Sequence, residues 1–144
     1  MTYTYDYPRA AVTADIIILK IISNHKSVLL IERKNPPFEG KWALPGGFME
    51  MDETLENTAL RELFAETGIT GVELQQLHTF SKVDRDPRHR TISTVFWGNA
   101  DEKTPEPKAG DDAANVQWFP LHSLPPLAFD HEEVMRMLLA KVGY

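Results

Sequence analysis

Gly47–Ile69, GFMEMDETLENTALRELFAETGI, is the stretch whose reading decides the fold. It begins at the glycine-rich turn Pro45-Gly46-Gly47, a composition suited to close backbone approach and positive φ. An acidic loop follows with Glu50, Asp52 and Glu53, Glu56 lies further on, and the residues then take on helical spacing. Glu62 and Glu66 stand at i and i+4, about 40° from each other around a helix that turns about 100° per residue. Leu55, Ala59 and Leu63 share their stripe, so both carboxylates sit beside the buried face. A carboxylate there is costly unless it pairs or binds a cation. Arg61 is the neighbouring cation, but its backbone position points about 100° away from Glu62.

The same stretch resembles the Nudix box, G-x5-E-x7-R-E-U-x-E-E-x-G-U with U aliphatic. Gly47, Glu53, Arg61, Glu62, Leu63, Glu66, Gly68 and Ile69 match at the required spacings. Ala65 departs, standing where the first glutamate of the E-E pair belongs, which bears on metal affinity and rate far more than on the fold. The resemblance implies an α/β/α sandwich, a mixed β-sheet between helices, with the box as a loop-helix-loop. It also implies a divalent metal held by Glu62 and Glu66 with a backbone carbonyl at Gly46. Glu53 and Arg61 would pair and hold the loop to the helix, between the structural glycines Gly47 and Gly68. Oxygen ligands, no cysteine and no histidine at ligand spacing agree on Mg²⁺ or Mn²⁺ as the cofactor. Glu50 is an undecided third carboxylate.

Composition sets the frame. The chain of 144 residues is expected to form a single domain, 1–144, with 42% hydrophobic and 25% charged residues. A net charge of −6 argues against non-specific nucleic-acid binding, though a bound metal can still bring phosphates to the site. The absence of cysteine excludes disulfides and thiol catalysis. The apolar run Ile16–Ile22 is interrupted by Lys20 and far too short to span a bilayer, and no basic region precedes it. No membrane association and a cytoplasmic setting are expected.

Outward from the box, Met1–Val12 reads as a tyrosine-rich arm. Ala14–Ser23 and Ser27–Arg33 read as a hairpin around Ser23-Asn24-His25-Lys26, apolar enough for burial on both faces. Phe38 and Trp42 can stack on a nucleotide base or cover the core. Thr54 is placed to cap the box helix and Gly68 to end it. Val72–Phe80 and Thr91–Ala100 read as strands joined by the charged loop Ser81–Arg90. Arg85, Arg88 and Arg90 in that loop either solvate a hairpin tip or hold substrate phosphate and ribose, for which planar guanidinium groups are suited. After the linker-like Asp101–Gly110 come Asp111 and Asp112, a short strand Val116–Phe119, and a final helix Asp130–Val142 with Val134, Met137, Leu138 and Leu139 facing inward.

ALPGGF, TFSKVDRDPRHR, AGDDAANVQWF and LAFDHEEV resemble the ADP-ribose pyrophosphatase branch of the Nudix family, and also the Nudix domain of ADP-ribose-responsive transcriptional repressors. Two functions are therefore implied. The first is metal-dependent hydrolysis of a nucleotide substrate, ADP-ribose, to AMP and ribose 5-phosphate, with Glu66, Asp111 or Asp112 as the general base. His89 and His131 rank below these, since a lone histidine is more often structural. The second is an ADP-ribose-sensing domain with little catalysis. The repressors carry a winged-helix domain after the Nudix domain, whereas this chain stops at Tyr144, which favours the enzyme; Ala65 leans towards the sensor. A homodimer is expected by analogy.

Overall fold

β1 (Ala11–Ile22) runs through the middle of the molecule, and Thr13 to Leu19 are all buried. Its alternating side chains feed two separate cores, as a strand covered on both faces must. Ala14, Ile16 and Ile18 pack with Ala59, Leu63, Ile69 and Phe96 on one side. Ile17 and Leu19 pack with Val28, Leu30, Val95, Val134, Met135 and Leu138 on the other. The first core lies beneath α1 (Leu55–Thr67) and the second beneath α2 (His131–Val142). The architecture is the expected sandwich of a sheet between helices.

The computed structural model describes residues 2–143; Met1, heading the tyrosine-rich arm, and Tyr144, closing the expected domain, lie outside the described residues. Among the described residues the sheet has seven strands. β2 (His25–Arg33) lies antiparallel to β1, and β6 (Thr91–Asn99) parallel to it, so the sheet is mixed. β5 (Gln75–Phe80) pairs with β6, and β7 (Ala113–Pro120) with β2. Two short strands are added, β3 (Trp42–Ala43) on β2, where the sequence reading assigned no element, and β4 (Gly46–Phe48) on β1, which begins in the glycine-rich turn.

Several boundaries move, each for a local reason. The hairpin tip shrinks to Ser23-Asn24, both at positive φ, because His25 already pairs with Ile22. Ala11 and Val12 leave the arm to join β1, in register with Thr91 and Ile92. Val72 is a buried connector packed in the α1 core, and β5 starts three residues later. In α2 the inward stripe is His131, Val134, Met135 and Leu138. Met137 is exposed, because burying His131 turns that stripe towards Met135. Thr54 accepts the Asn57 N–H, and Gly68 closes α1 at φ 74°.

Candidate functional site

The box begins where β4 lies against β1, with Gly46 opposite Asp15 and Gly47 opposite Ala14. A Cβ on Gly46 would fall 2.2 Å from Asp15 Oδ1 and 2.4 Å from the Ala14 carbonyl oxygen. One on Gly47 would fall 2.4 Å from the Glu62 carboxyl carbon. Neither glycine is at positive φ, contrary to the expectation from composition. Both are required by carboxylates pressed against the backbone.

Arg61 ties the acidic loop to the helix. It donates from Nε to Glu53 Oε2 at 2.5 Å, and from Nη2 to Glu53 Oε1 and the Phe48 carbonyl. Its Nη1 also reaches Glu62 Oε1 at 2.6 Å. The separation expected from backbone direction is overridden by the length of the arginine side chain. Bonding to Arg61, with the Glu50 and Thr58 donors, holds Glu53 down to about 2.

Glu66 is 4% exposed, and Oε1 accepts the Gly46 N–H at 2.8 Å. Burial, reinforced by Glu62, Asp15 and Asp112, pushes its carboxyl up to about 8. Burial also raises Glu62, against the pull of Arg61. Two neighbouring carboxylates made costly by burial and mutual repulsion fit a cation site, since a cation offsets both terms. Among the described residues, no three aspartate, glutamate or histidine side chains converge as a closed cage.

These carboxylates form one wall of a cleft of about 280 Å³. Cations from the Ser81–Arg90 loop line the same cleft. Arg85 is buried, makes a bidentate pair with Asp130 at 2.9 and 2.7 Å, and lies 4.0 Å from Asp15. Arg88 is clasped by Asp86 and sits 5.3 Å from the Phe48 ring and 5.7 Å from that of Phe129. Arg33, from the end of β2, stacks on the same Phe129 ring. The loop is thus no solvated tip, since ion pairs pull its centre inward.

Of the remaining expected residues, Asp112 lines the cleft, whereas Asp111 is exposed at φ 47° and does not. Arg90 bonds the Lys82 carbonyl outside the cleft. Phe38 packs edge-on against Phe129, and Trp42 against Phe119 in the core, so neither lines the cleft. Ala65 is half-buried, and its carbonyl faces Gly110. Asp15, Arg33, Asp86 and Phe129 line the cleft without having been singled out. Asp15 carried a readable signal, an acid inside an otherwise apolar strand; the others carried none.

A sheet sandwiched by helices, with carboxylates drawn into a cleft beside a glycine turn and arginines lining the same cleft, defines a class of metal-assisted phosphate-handling domains. The sequence places the chain within that class: it matches the NUDIX domain over residues 12–140 and belongs to the Nudix family. It is 47% identical over 116 residues to the ADP-ribose pyrophosphatase of Methanocaldococcus jannaschii, covering 81% of this chain and 68% of the relative. It is 30% identical over 142 residues to the ADPR-responsive transcriptional repressor NtrR of Acinetobacter baylyi, covering 96% of this chain but 56% of the repressor. Among solved structures, the NUDIX domain of Shewanella oneidensis NrtR in complex with ADP ribose superimposes with a TM-score of 0.89. That match is 29% identical and covers 96% of this chain and 94% of the other.

Proposed function

We propose that this chain is a divalent-metal-dependent pyrophosphohydrolase that cleaves ADP-ribose to AMP and ribose 5-phosphate. The observation that carries the proposal is that one cleft is lined both by Glu62 and Glu66 and by Arg85 and Arg88. Glu62 and Glu66 would hold a metal that binds the diphosphate, and the guanidinium groups of Arg85 and Arg88 would contact its oxygens. The ADP-ribose pyrophosphatase and the ADP-ribose-bound NUDIX domain among its relatives support the choice of substrate. Mg²⁺ or Mn²⁺ is the proposed metal, and a cytoplasmic homodimer is proposed by analogy with proteins of this type.

When bound, the metal neutralises charge on the diphosphate and lowers the pKa of the attacking water. The chain's own residues do the rest. Gly46 N–H fixes one oxygen of Glu66, which lines the cleft. Arg61 steadies Glu62. Asp130 and Asp86 pre-set Arg85 and Arg88, so little side-chain entropy is lost when phosphate arrives. Asp112, the one of the two loop aspartates that lines the cleft, is the proposed base for the water proton.

The test is a substrate panel of ADP-ribose, NADH, diadenosine polyphosphates and dGTP with Mg²⁺ and Mn²⁺. ADP-ribose should give the highest kcat/KM, with AMP and ribose 5-phosphate as products. A preference for dGTP overturns the proposal. Ala65 and the ADP-ribose-bound repressor domain favour a second reading, a sensor, which tight ADP-ribose binding without product in either metal would establish.

A further inference from the structure

His131, the first residue of α2, is buried on the cleft floor and has no part in the chemistry proposed above. Its Nδ1 accepts the Leu44 N–H at 3.0 Å, so a proton on the neutral ring sits at Nε2. Nε2 lies 3.7 Å from Asp15 Oδ2. Nδ1 is thus taken by the backbone, and Nε2 stands within ion-pair range of Asp15. What the imidazole holds is the chain leading to the metal turn.

That chain is gripped at successive residues. Leu44 N–H goes to His131, the Pro45 carbonyl accepts the Ile16 N–H at 2.8 Å, and Gly46 N–H goes to Glu66. Asp15 bears on Gly46 from the other side, with Oδ1 in the space that a Cβ would fill. Ser93 Oγ donates to Asp15 Oδ2 at 2.5 Å, and Arg85 stands 4.0 Å from the same oxygen. Within this set, His131 connects α2 both to the turn and to Asp15, the carboxylate packed against the turn.

We infer that His131 is a positioning residue for the metal site: its bond to Leu44 sets where the Gly46 amide stands, and hence where Glu66 presents its free oxygen. This rests on the metal-site reading above. Groups that orient a metal's ligands typically change affinity by about 10–100-fold when removed.

Mn²⁺ binding, followed by electron paramagnetic resonance on the folded protein well below its melting temperature, separates this role from simple packing. His131→Asn keeps an acceptor near the Nδ1 position, whereas His131→Gln keeps a group towards Asp15 and leaves Leu44 N–H unbonded. His131→Gln should weaken Mn²⁺ binding by about tenfold or more, and His131→Asn should stay close to wild type. Equal binding by His131→Gln and wild type, or equal weakening in both variants, overturns the inference alone. A wild-type chain that takes up no Mn²⁺ overturns the metal reading with it. Should His131→Gln fail to fold, amide exchange on the wild type decides: Mn²⁺ should slow Leu44 and Gly46 together, and an unchanged Leu44 amide overturns the inference.

Discussion

Gly46 and Gly47 are both glycine because a carboxylate lies where a Cβ would be, yet the two should respond differently to alanine. At Gly47 the obstacle is the end of the Glu62 side chain, which can swing aside. Gly47→Ala should therefore keep most of the melting temperature while lowering activity by about 10²-fold, because the displaced group is a proposed metal ligand. At Gly46 the Ala14 carbonyl and the Asp15 Cα are in the way, so Gly46→Ala should part β4 from β1 and lower the melting temperature more. Thermal melts and steady-state rates on the two variants check this pair. The aspartates separate as cleanly. Asp112→Asn should reduce kcat by about 10²-fold and Asp111→Asn should stay near wild type, since only Asp112 lines the cleft. Equal losses in both variants would remove Asp112 as the base.

At the scale of elements, α1 does two jobs with adjacent faces. Ala59 and Leu63 bury into the core beneath it, while Glu62 and Glu66 stand at the border facing the cleft. Leu63 is 1% exposed, so Leu63→Ala should cost about 2–5 kcal/mol of stability, read from urea unfolding. Phe64, on the outer face, is 58% exposed, and Phe64→Ala should change stability by no more than about 0.5 kcal/mol. The Ser81–Arg90 loop shows how ion pairs can order a segment that has no regular structure. Arg85 is tied to Asp130 at the start of α2, which leaves Asp130 without a side-chain capping bond.

For the whole molecule, three carboxylates with depressed folded-state values, Asp15, Glu53 and Asp86, link stability to pH. Arg61 holds Glu53 to about 2, below its ordinary 4.5. Burial alone would raise Asp86, but the Arg88 bonds outweigh it and bring the carboxyl below 3.8. The folded state therefore holds fewer protons than the unfolded chain in this range. Their contribution is complete above about pH 4.5 and is lost as pH falls towards 2. Urea midpoints should rise as pH falls from 8 towards 5, because burial raises Glu66 to about 8 and only the folded state takes up that proton, then fall below about pH 4.5, and Glu53→Gln should flatten the acid limb. An unchanged acid limb in Glu53→Gln would mean that the pair with Arg61 stabilises nothing.

The sequence by itself determined the helix of the box, its Thr54 and Gly68 caps and the two core-facing strands of the hairpin. Local periodicity and capping chemistry are sufficient for these. It also marked Glu62 and Glu66, since an i, i+4 pair of acids beside an apolar stripe is unusual wherever it occurs. Tertiary structure alone decided which distant residues share a cleft with that pair. Asp15, His131, Arg85 and Asp112 come from a strand, a helix start and two loops, and no spacing relates them. It also sorted the arginines, because Arg85 and Arg88 have acids to fold against and Arg90 has only a carbonyl. The reach of a long side chain is likewise invisible to helical angles, which is why Arg61 meets Glu62 although their backbone positions diverge.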